Sequence, residues 1–527
     1  MKHAIILVLA VAATRLFLVE STNGCKIKRR SEFGDGSGDD GYYCVCNMTY
    51  CDEAPKVSRT ANHFKYFLIT SSKSGLLFHV SYDTYKKSRT LDKSDPLGKI
   101  TINRKNVYQE IYGFGGAVTD SAAINIHDLT LEVSEHLLGS YFGPHGINYN
   151  FIRTPMGGCD FSTRPYAYAM VENDISLDHF ELQVEDNLFK IPIIKRAQKM
   201  KKGEIKLLTT PWSANLWMKT KKSWTLDTKL RPEYRQLWAN YFVKFFEAYR
   251  HNGLEFWATT PQNEPENYKY IPLLNNNVTL NAMAWTAEEE RDWIINHLAP
   301  TLKKNNFGHI KIFILDDTRL SIPDWPKIIF EDKRARDIVS GTAVHFYFDH
   351  FISPTVLDEI KELFPEKSIL YTESCAGTFE DQKVILGSWK RAELYAANII
   401  ESMSHWASTW IDWNIALDTN GGPTWTNNFV DSPIIVNSTA NEFYKQPMFY
   451  AIGHFSKYVP PGSKRIGTIS KHIANIRQIA FSTPDGGTVL VILNLNEEDK
   501  EILIHDPQKG TTKLKILAKS LNTMKYW

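Results

Sequence analysis

Two glutamates carry the first chemical signal. Glu264 closes the stretch Thr259-Thr260-Pro261-Gln262-Asn263-Glu264-Pro265, and Glu373 closes Ile369-Leu370-Tyr371-Thr372-Glu373-Ser374. Each follows four or more residues that read as a buried strand, so each carboxylate should emerge at a strand's C-terminal end. The chain between them has room for two to three strand–helix units of ~30 residues each. Two carboxylates delivered by one parallel barrel can face each other across a cleft, which is what glycosidic bond cleavage needs. A retaining hydrolase protonates the leaving oxygen with one group and attacks the anomeric carbon with the other, the carboxyls standing only ~5 Å apart. Asn263 precedes Glu264, and its amide suits the sugar 2-hydroxyl, a contact that strengthens in the transition state. Glu264 is therefore the acid candidate and Glu373 the nucleophile. Taken singly, a strand-end glutamate is more often a surface residue or a barrel salt bridge.

The elements that would present these groups begin near residue 108. Apolar strand candidates are 111–116, 149–153, 205–210, 255–260, 310–315, 342–347, 368–372 and 409–415. Helical patterns alternate with them, clearest over 232–249 and over 389–406, where Leu394, Ala397, Ile400 and Met403 repeat at three- to four-residue spacing. Pro232 suits a first helical turn and Gly253 a stop. Eight such units predict a (β/α)8 barrel, with both glutamates at its C-terminal face after strands four and seven. A doubly wound open sheet fits less well, because no glycine-rich phosphate loop follows an early strand. The flanks read as β-hairpins: 64–70 with 76–82, and 473–482 with 488–495 across Pro484-Asp485-Gly486-Gly487. Strands from both chain ends are expected to complete one β-sandwich, 61–107 plus about 461–527. The barrel then takes 108–417 plus about 443–460. A small disulfide-linked β subdomain takes 22–60 plus about 418–442.

Bulk composition sets the outer limits. The 527 residues are 43% hydrophobic and 13% aromatic, ample for a large core and two or three domains. Net charge is +2, so nothing calls for nucleic acid or a polyanion. The 14 Trp and 24 Tyr suit sugar rings, whose CH faces stack on aromatics, although large cores also use them. Residues 1–21 read as a secretory signal: Lys2 and His3, an apolar run over 4–13, then Val19 and Ser21 at a cleavage site. Arg15 interrupts the run, and no other segment offers ~18 uninterrupted apolar residues to span a bilayer. Sequons at Asn47, Asn277 and Asn437 agree with secretory passage. Cys25, Cys44, Cys46 and Cys51 crowd the mature N-terminus, where an oxidising compartment favours disulfides over zinc. Of the three connectivities open to them we pair Cys25 with Cys44 and Cys46 with Cys51. Cys159 and Cys375 are expected as buried free thiols. No His/Asp/Glu cluster has metal-ligand spacing, and no metal or cofactor is called for.

Several longer stretches are more specific. Gly113-Phe114-Gly115-Gly116 with Thr119-Asp120, Cys159-Asp160-Phe161-Ser162, Pro211-Trp212-Ser213, Asn263-Glu264-Pro265, Val344-His345, Glu373-Ser374-Cys375 and Asp412-Trp413-Asn414-Ile415-Ala416-Leu417 form one set. Two further runs, from Asn428 to Ile435 and from Tyr444 to Tyr450, join the N-terminal Cys44-Val45-Cys46-Asn47. On these the chain resembles the acid β-glucosidase (glucosylceramidase) family, barrel glycosidases with an Asn-Glu acid, over nearly all of its mature length. The resemblance implies hydrolysis of glucosylceramide to glucose and ceramide with retention, in the lysosome. It assigns Glu264 as acid/base and Glu373 as nucleophile, in agreement with the residues read alone. It also implies a glucose pocket of Asp160, Trp212, Asn263, Trp413 and Asn428. Arg153 and His345, at the ends of strands two and six, would stand behind the nucleophile and hold it ionised, with Tyr347 grouped beside them.

Two departures bear on the aglycone side. The 266–285 segment is longer than the family's usual loop, and Phe346 stands where the family has Trp. Working on a bilayer lipid without an anchor implies peripheral binding to anionic lumenal membranes. Residues 461–527 hold ten Lys/Arg against six Asp/Glu, an excess suited to such a surface. The family further implies a saposin-type activator and a lysosomal sorting receptor. The competing readings are a barrel glycosidase on another β-linked sugar, such as galactose or xylose, and an inactive binding homologue. Both carboxylates and Asn263 argue against the latter.

Overall fold

The computed structural model describes residues 26–29, 39, 41–86, 96–225, 228–270 and 279–527. The expected signal sequence, Cys25, the Asn277 sequon and part of the 266–285 segment lie outside them.

Eight parallel strands close into a barrel: β1 (Gly113–Ala117), β2 (Phe151–Met156), β3 (Lys206–Pro211), β4 (Phe256–Thr259), β5 (Lys311–Thr318), β6 (Gly341–His345), β7 (Ser368–Glu373) and β8 (Ala407–Asn414). These are the eight segments expected, shifted by at most a few residues. The strands are almost wholly buried on both faces, as in parallel sheets covered by helices, so they read as apolar runs rather than alternations. The helix over Arg235–His251 starts after a short 3-10 turn at Pro232–Tyr234, and Gly253, at φ +79°, turns the chain beyond its end. The helix Trp389–Ser404 is capped by Ser388, whose hydroxyl accepts from the Arg391 amide. Gly113 is obligatory at the barrel's start. At φ +134° its position is glycine territory, and a Cβ would lie 1.8 Å from the Asn150 side-chain oxygen that accepts from the Phe114 amide.

Inside the barrel, Phe151, Leu208, Ala258, Phe313, Ala343, Leu370 and Ile411 form one apolar layer. Each comes from a different strand, β2 to β8. That layer is a packed plug, so the functional end must lie above it.

Two further sheets flank the barrel. A five-stranded sheet joins Lys26–Arg29, Tyr42–Cys46, Glu442–Lys445, Ile434–Asn437 and Leu417–Asp418 in that order. Cys46 and Cys51 are bonded there as expected, and Cys44 is also in a disulfide, although its expected partner lies outside the described residues. Cys159 and Cys375 are free and buried. A nine-stranded sheet draws on 65–110 and 464–526, with its order running from Gly510–Ile516 at one edge to His79–Thr84 at the other. Its ends approach: Lys86 bridges to Thr511, and Tyr66 and Thr512 bond across 3.3 Å around a core of Ile100, Ile492, Ile504 and Met524. Six of its ten C-terminal cations, Arg477, Lys500, Lys513, Lys515, Lys519 and Lys525, face acidic partners within 4 Å.

Candidate active site

Two residues beyond the apolar layer, the same inward-facing register turns polar. Phe151 gives way to Arg153, Ala343 to His345, Leu370 to Thr372, Ile411 to Trp413 and Ala258 to Thr260. On β5 simple alternation would place Leu315 in that layer. A β-bulge intervenes: the register slips between Leu315 and Asp317, and Leu315 and Asp316 take φ +73° and +53°. The slip brings Asp316 inward instead, a common use of bulges beside functional sites. The Leu315 amide points to Glu290 Oε1 at 3.3 Å.

Asp316 is the hub of this layer. Its Oδ2 accepts from Arg153 at 2.9 Å and Thr260 Oγ1 at 2.8 Å. Its Oδ1 accepts from Thr372 Oγ1 at 2.6 Å and faces His345 Nε2 at 3.1 Å. Burial alone would push its carboxyl up, but Arg153 and His345 overcome that and hold it far below the usual carboxylate range. Sequence reading missed Asp316 because the expected strand stopped at 315 and alternation cannot foresee a bulge. The available signal was an acidic pair, Asp316-Asp317, directly after a candidate barrel strand.

The two expected carboxylates rise above this hub. Glu373 ends β7. Its Oε2 accepts from Arg153 and its Oε1 accepts from Tyr347 at 2.5 Å. Burial pushes the Glu373 carboxyl up, while His345 and Arg153 pull it back toward the ionised form. Glu264 stands five residues past the end of β4 at φ +43°, a strained non-glycine conformation held by its amide bonding Asp316 O at 3.0 Å. Its Oε1 lies 2.8 Å from His345 Nδ1, and its Oε2 accepts from Asn267. One carboxylate oxygen of Glu264 and one of Glu373 lie within 4.8 Å of each other.

The five residues expected to form a pocket lie around them. Asp160, Trp212, Asn263, Trp413 and Asn428 line one cavity of about 60 Å³ with Glu264 and Glu373. Trp212 and Trp413 stack at 5.2 Å, with the Arg153 guanidinium about 5 Å from both rings. Arg153 also donates to Asn263 Oδ1 at 2.7 Å. Asp160 accepts from the Asn281 amide at 2.6 Å; burial pushes its carboxyl well up, while bonds from Asn281 and Asn428 oppose that. The Asp160 turn is anchored from below. Ser162 Oγ accepts from the Cys159 amide at 3.0 Å and donates to Asp120 at 2.6 Å, and Asp120 pairs with the buried Lys190 at 3.1 Å. Tyr347, Cys375, Thr378 and Phe379 are shared with a larger adjoining groove of about 630 Å³. Phe346 lines that groove rather than the smaller cavity, packing edge-on against Tyr347 and Tyr395. Asn47 follows the strand Tyr42–Cys46 and Asn437 ends the strand Ile434–Asn437, both partly exposed.

Glu264, His345 and Glu373 stand close enough to suggest a metal site. The imidazole argues against one. Its Nδ1 faces Glu264 Oε1 at 2.8 Å and its Nε2 faces Asp316 Oδ1 at 3.1 Å, so both ring nitrogens are already turned to carboxylates; burial disfavours the ring's charge, but Glu373 and Asp316 outweigh it and favour the protonated form. The other close cluster, Cys44, Cys46 and Asp52, has both sulfurs in disulfides.

Comparison with known proteins places this geometry. Residues 111–459 match the Glycosyl hydrolase family 30 TIM-barrel domain and residues 462–524 the Glycosyl hydrolase family 30 beta sandwich domain. The chain is 40% identical to the lysosomal acid glucosylceramidase of Mus musculus over 475 residues, 89% of this chain and 90% of that one. It is 26% identical to an endo-1,6-beta-D-glucanase of Neurospora crassa over 82% of this chain and 89% of that one. Among solved structures, SrfJ from Salmonella typhimurium superposes with TM-score 0.80 at 26% identity, covering 88% of this chain and 99% of that one.

Proposed function

The chain belongs to glycosyl hydrolase family 30, and from that premise we propose that it hydrolyses glucosylceramide to glucose and ceramide by double displacement. The observation that carries this reading is the approach of the Glu264 and Glu373 carboxylates to within 4.8 Å across one buried cavity. That spacing leaves no room for a water between the second carboxylate and the anomeric carbon, as inversion would need, and suits direct attack.

Glu373, ionised against Arg153 and His345 and aligned by Tyr347, attacks the anomeric carbon. Glu264 gives its proton to the departing ceramide oxygen. Glu264 then takes a proton from water, which displaces the sugar from Glu373 with a second inversion and so net retention. Asp160 and Asn428 are placed to receive sugar hydroxyls, Asn263 to meet the 2-hydroxyl, and the Trp212–Trp413 pair to stand against the ring. The similarity to a lysosomal enzyme supports a lysosomal setting. No described helix is long and apolar enough to cross a membrane. Access to a bilayer substrate therefore rests, in this proposal, on peripheral attachment to anionic lumenal membranes, with a saposin-type activator and a sorting receptor as partners.

The test is turnover of glucosyl- and galactosyl-ceramide in anionic vesicles at mildly acidic pH. Wild type should release glucose, and Glu264→Gln should lose about 10²–10⁴-fold. Azide should rescue Glu264→Ala on an activated glucoside as the β-azide. Preferential release of galactose, or cleavage of β-1,6-glucan in place of the lipid, would replace the substrate assignment. Undiminished turnover in Glu373→Gln would overturn the mechanism.

A further inference from the structure

Among the described residues two side chains hydrogen-bond the Glu264 carboxylate, one of them from the barrel. His345, on β6, meets Oε1. Asn267, whose amide nitrogen donates to Oε2, comes from the short helix Asn267–Tyr270 that opens the 266–285 segment. Backbone bonds fix its position. The Asn267 amide closes back on Glu264 O at 3.1 Å, and the Glu266 amide is held by Asp317 Oδ2 at 3.1 Å. The Glu266 side chain is in turn bonded by Ser321 and Lys269. Asn267 lines the same cavity as both catalytic carboxylates.

We propose that Asn267 is a positioning residue for the acid/base: its side-chain amide holds the Glu264 carboxyl in the orientation that faces the cavity. A carboxyl so aimed can deliver its proton to a poor leaving group such as an alkoxide. Without the donor the carboxyl is free to turn away, and protonation of the leaving oxygen lags. This inference rests on the acid/base reading of Glu264. Other charged and titratable groups face Glu264 from every side: His345 from β6, Glu373 from β7, Asp317 from β5, Asp160 beyond β2, and Tyr347. All of them remain when Asn267 is replaced, so the change reports the amide alone.

The experiment compares kcat/KM of wild type, Asn267→Ala, Asn267→Ser and Glu264→Gln on two glucosides. One is an alkyl β-glucoside with a poor leaving group; the other is the dinitrophenyl β-glucoside, which departs without protonation. For Asn267→Ala we expect a ~10-fold loss in kcat/KM on the alkyl glucoside, carried mainly by kcat, and at most a ~2-fold change on the activated one. Asn267→Ser keeps a short donor and should recover part of the loss; it carries the same comparison if Asn267→Ala does not fold. Equal losses on both substrates would overturn the inference and leave Asn267 a structural residue. If Glu264→Gln itself showed no leaving-group dependence, the acid/base reading would fall and this inference with it.

Discussion

The barrel interior holds two layers that share strands and differ in chemistry. The lower, Phe151, Leu208, Ala258, Phe313, Ala343, Leu370 and Ile411, is wholly apolar. The upper, two residues on, gathers Arg153, Thr260, Asp316, His345, Thr372 and Trp413 around a fully buried hub. The lower layer is held by packing, which tolerates partial rearrangement. The upper is held by charges that must all be answered, because an unpaired buried charge costs several kcal/mol. A single scaffold thus keeps stability and chemistry one step of the pleat apart. β5 is the strand where the pleat alone would have failed, and there a bulge re-aims the residue that matters.

That contrast can be broken from either side. The largest effect should come from Asp316→Asn in the upper layer. Losing the charge leaves Arg153 with one carboxylate partner fewer and His345 without the anion at its Nε2. Stability should fall by about 3–5 kcal/mol in denaturant titration. kcat/KM should drop about 10²–10³-fold, the scale of losing a preorganised electrostatic contact. Next comes Leu370→Ala in the lower layer: about 2–5 kcal/mol of stability lost to the cavity, with kcat/KM on a soluble glucoside close to wild type. If Leu370→Ala damaged catalysis as much as Asp316→Asn, the separation of layers would be wrong. The smallest signal is pH dependence. Burial disfavours the His345 imidazolium, but Glu373 and Asp316 raise it from 6.5 to about 10. A raised folded-state value means its stabilisation is fully present below about 6.5 and lost as pH rises through about 10. Melting temperature should therefore fall over that window in wild type, and fall less in His345→Gln.

The sequence disclosed the lower layer more readily than the upper. Apolar runs located all eight strands, and 3.6-residue periodicity the helices Arg235–His251 and Trp389–Ser404, because both are local signals. The flanking hairpins were legible for the same reason. Glu264, Glu373 and the pocket residues were found through motifs, and they converge on one cavity. Asp316 was not found, since its inward aim depends on positive φ at two non-glycine residues that no alternation encodes. Asn267 was hidden differently. Its segment was noticed for length, while its contact with Glu264 arises only once the chain folds back after Pro265. The C-terminal excess of basic residues is legible in composition, whereas which cations stand beside carboxylates, as Lys500, Lys513, Lys515, Lys519 and Lys525 do, is set only by folding.

The central claim is that Glu373 attacks one anomeric carbon while Glu264 serves the leaving oxygen. It is tested most directly by trapping the intermediate with an activated 2-deoxy-2-fluoro-β-glucoside, followed by intact-mass measurement and peptide mapping. One equivalent of fluoroglucosyl group esterified to Glu373 is the predicted result. Label on any other carboxylate, or no adduct together with α-glucose as the first product from an ordinary β-glucoside, would contradict it.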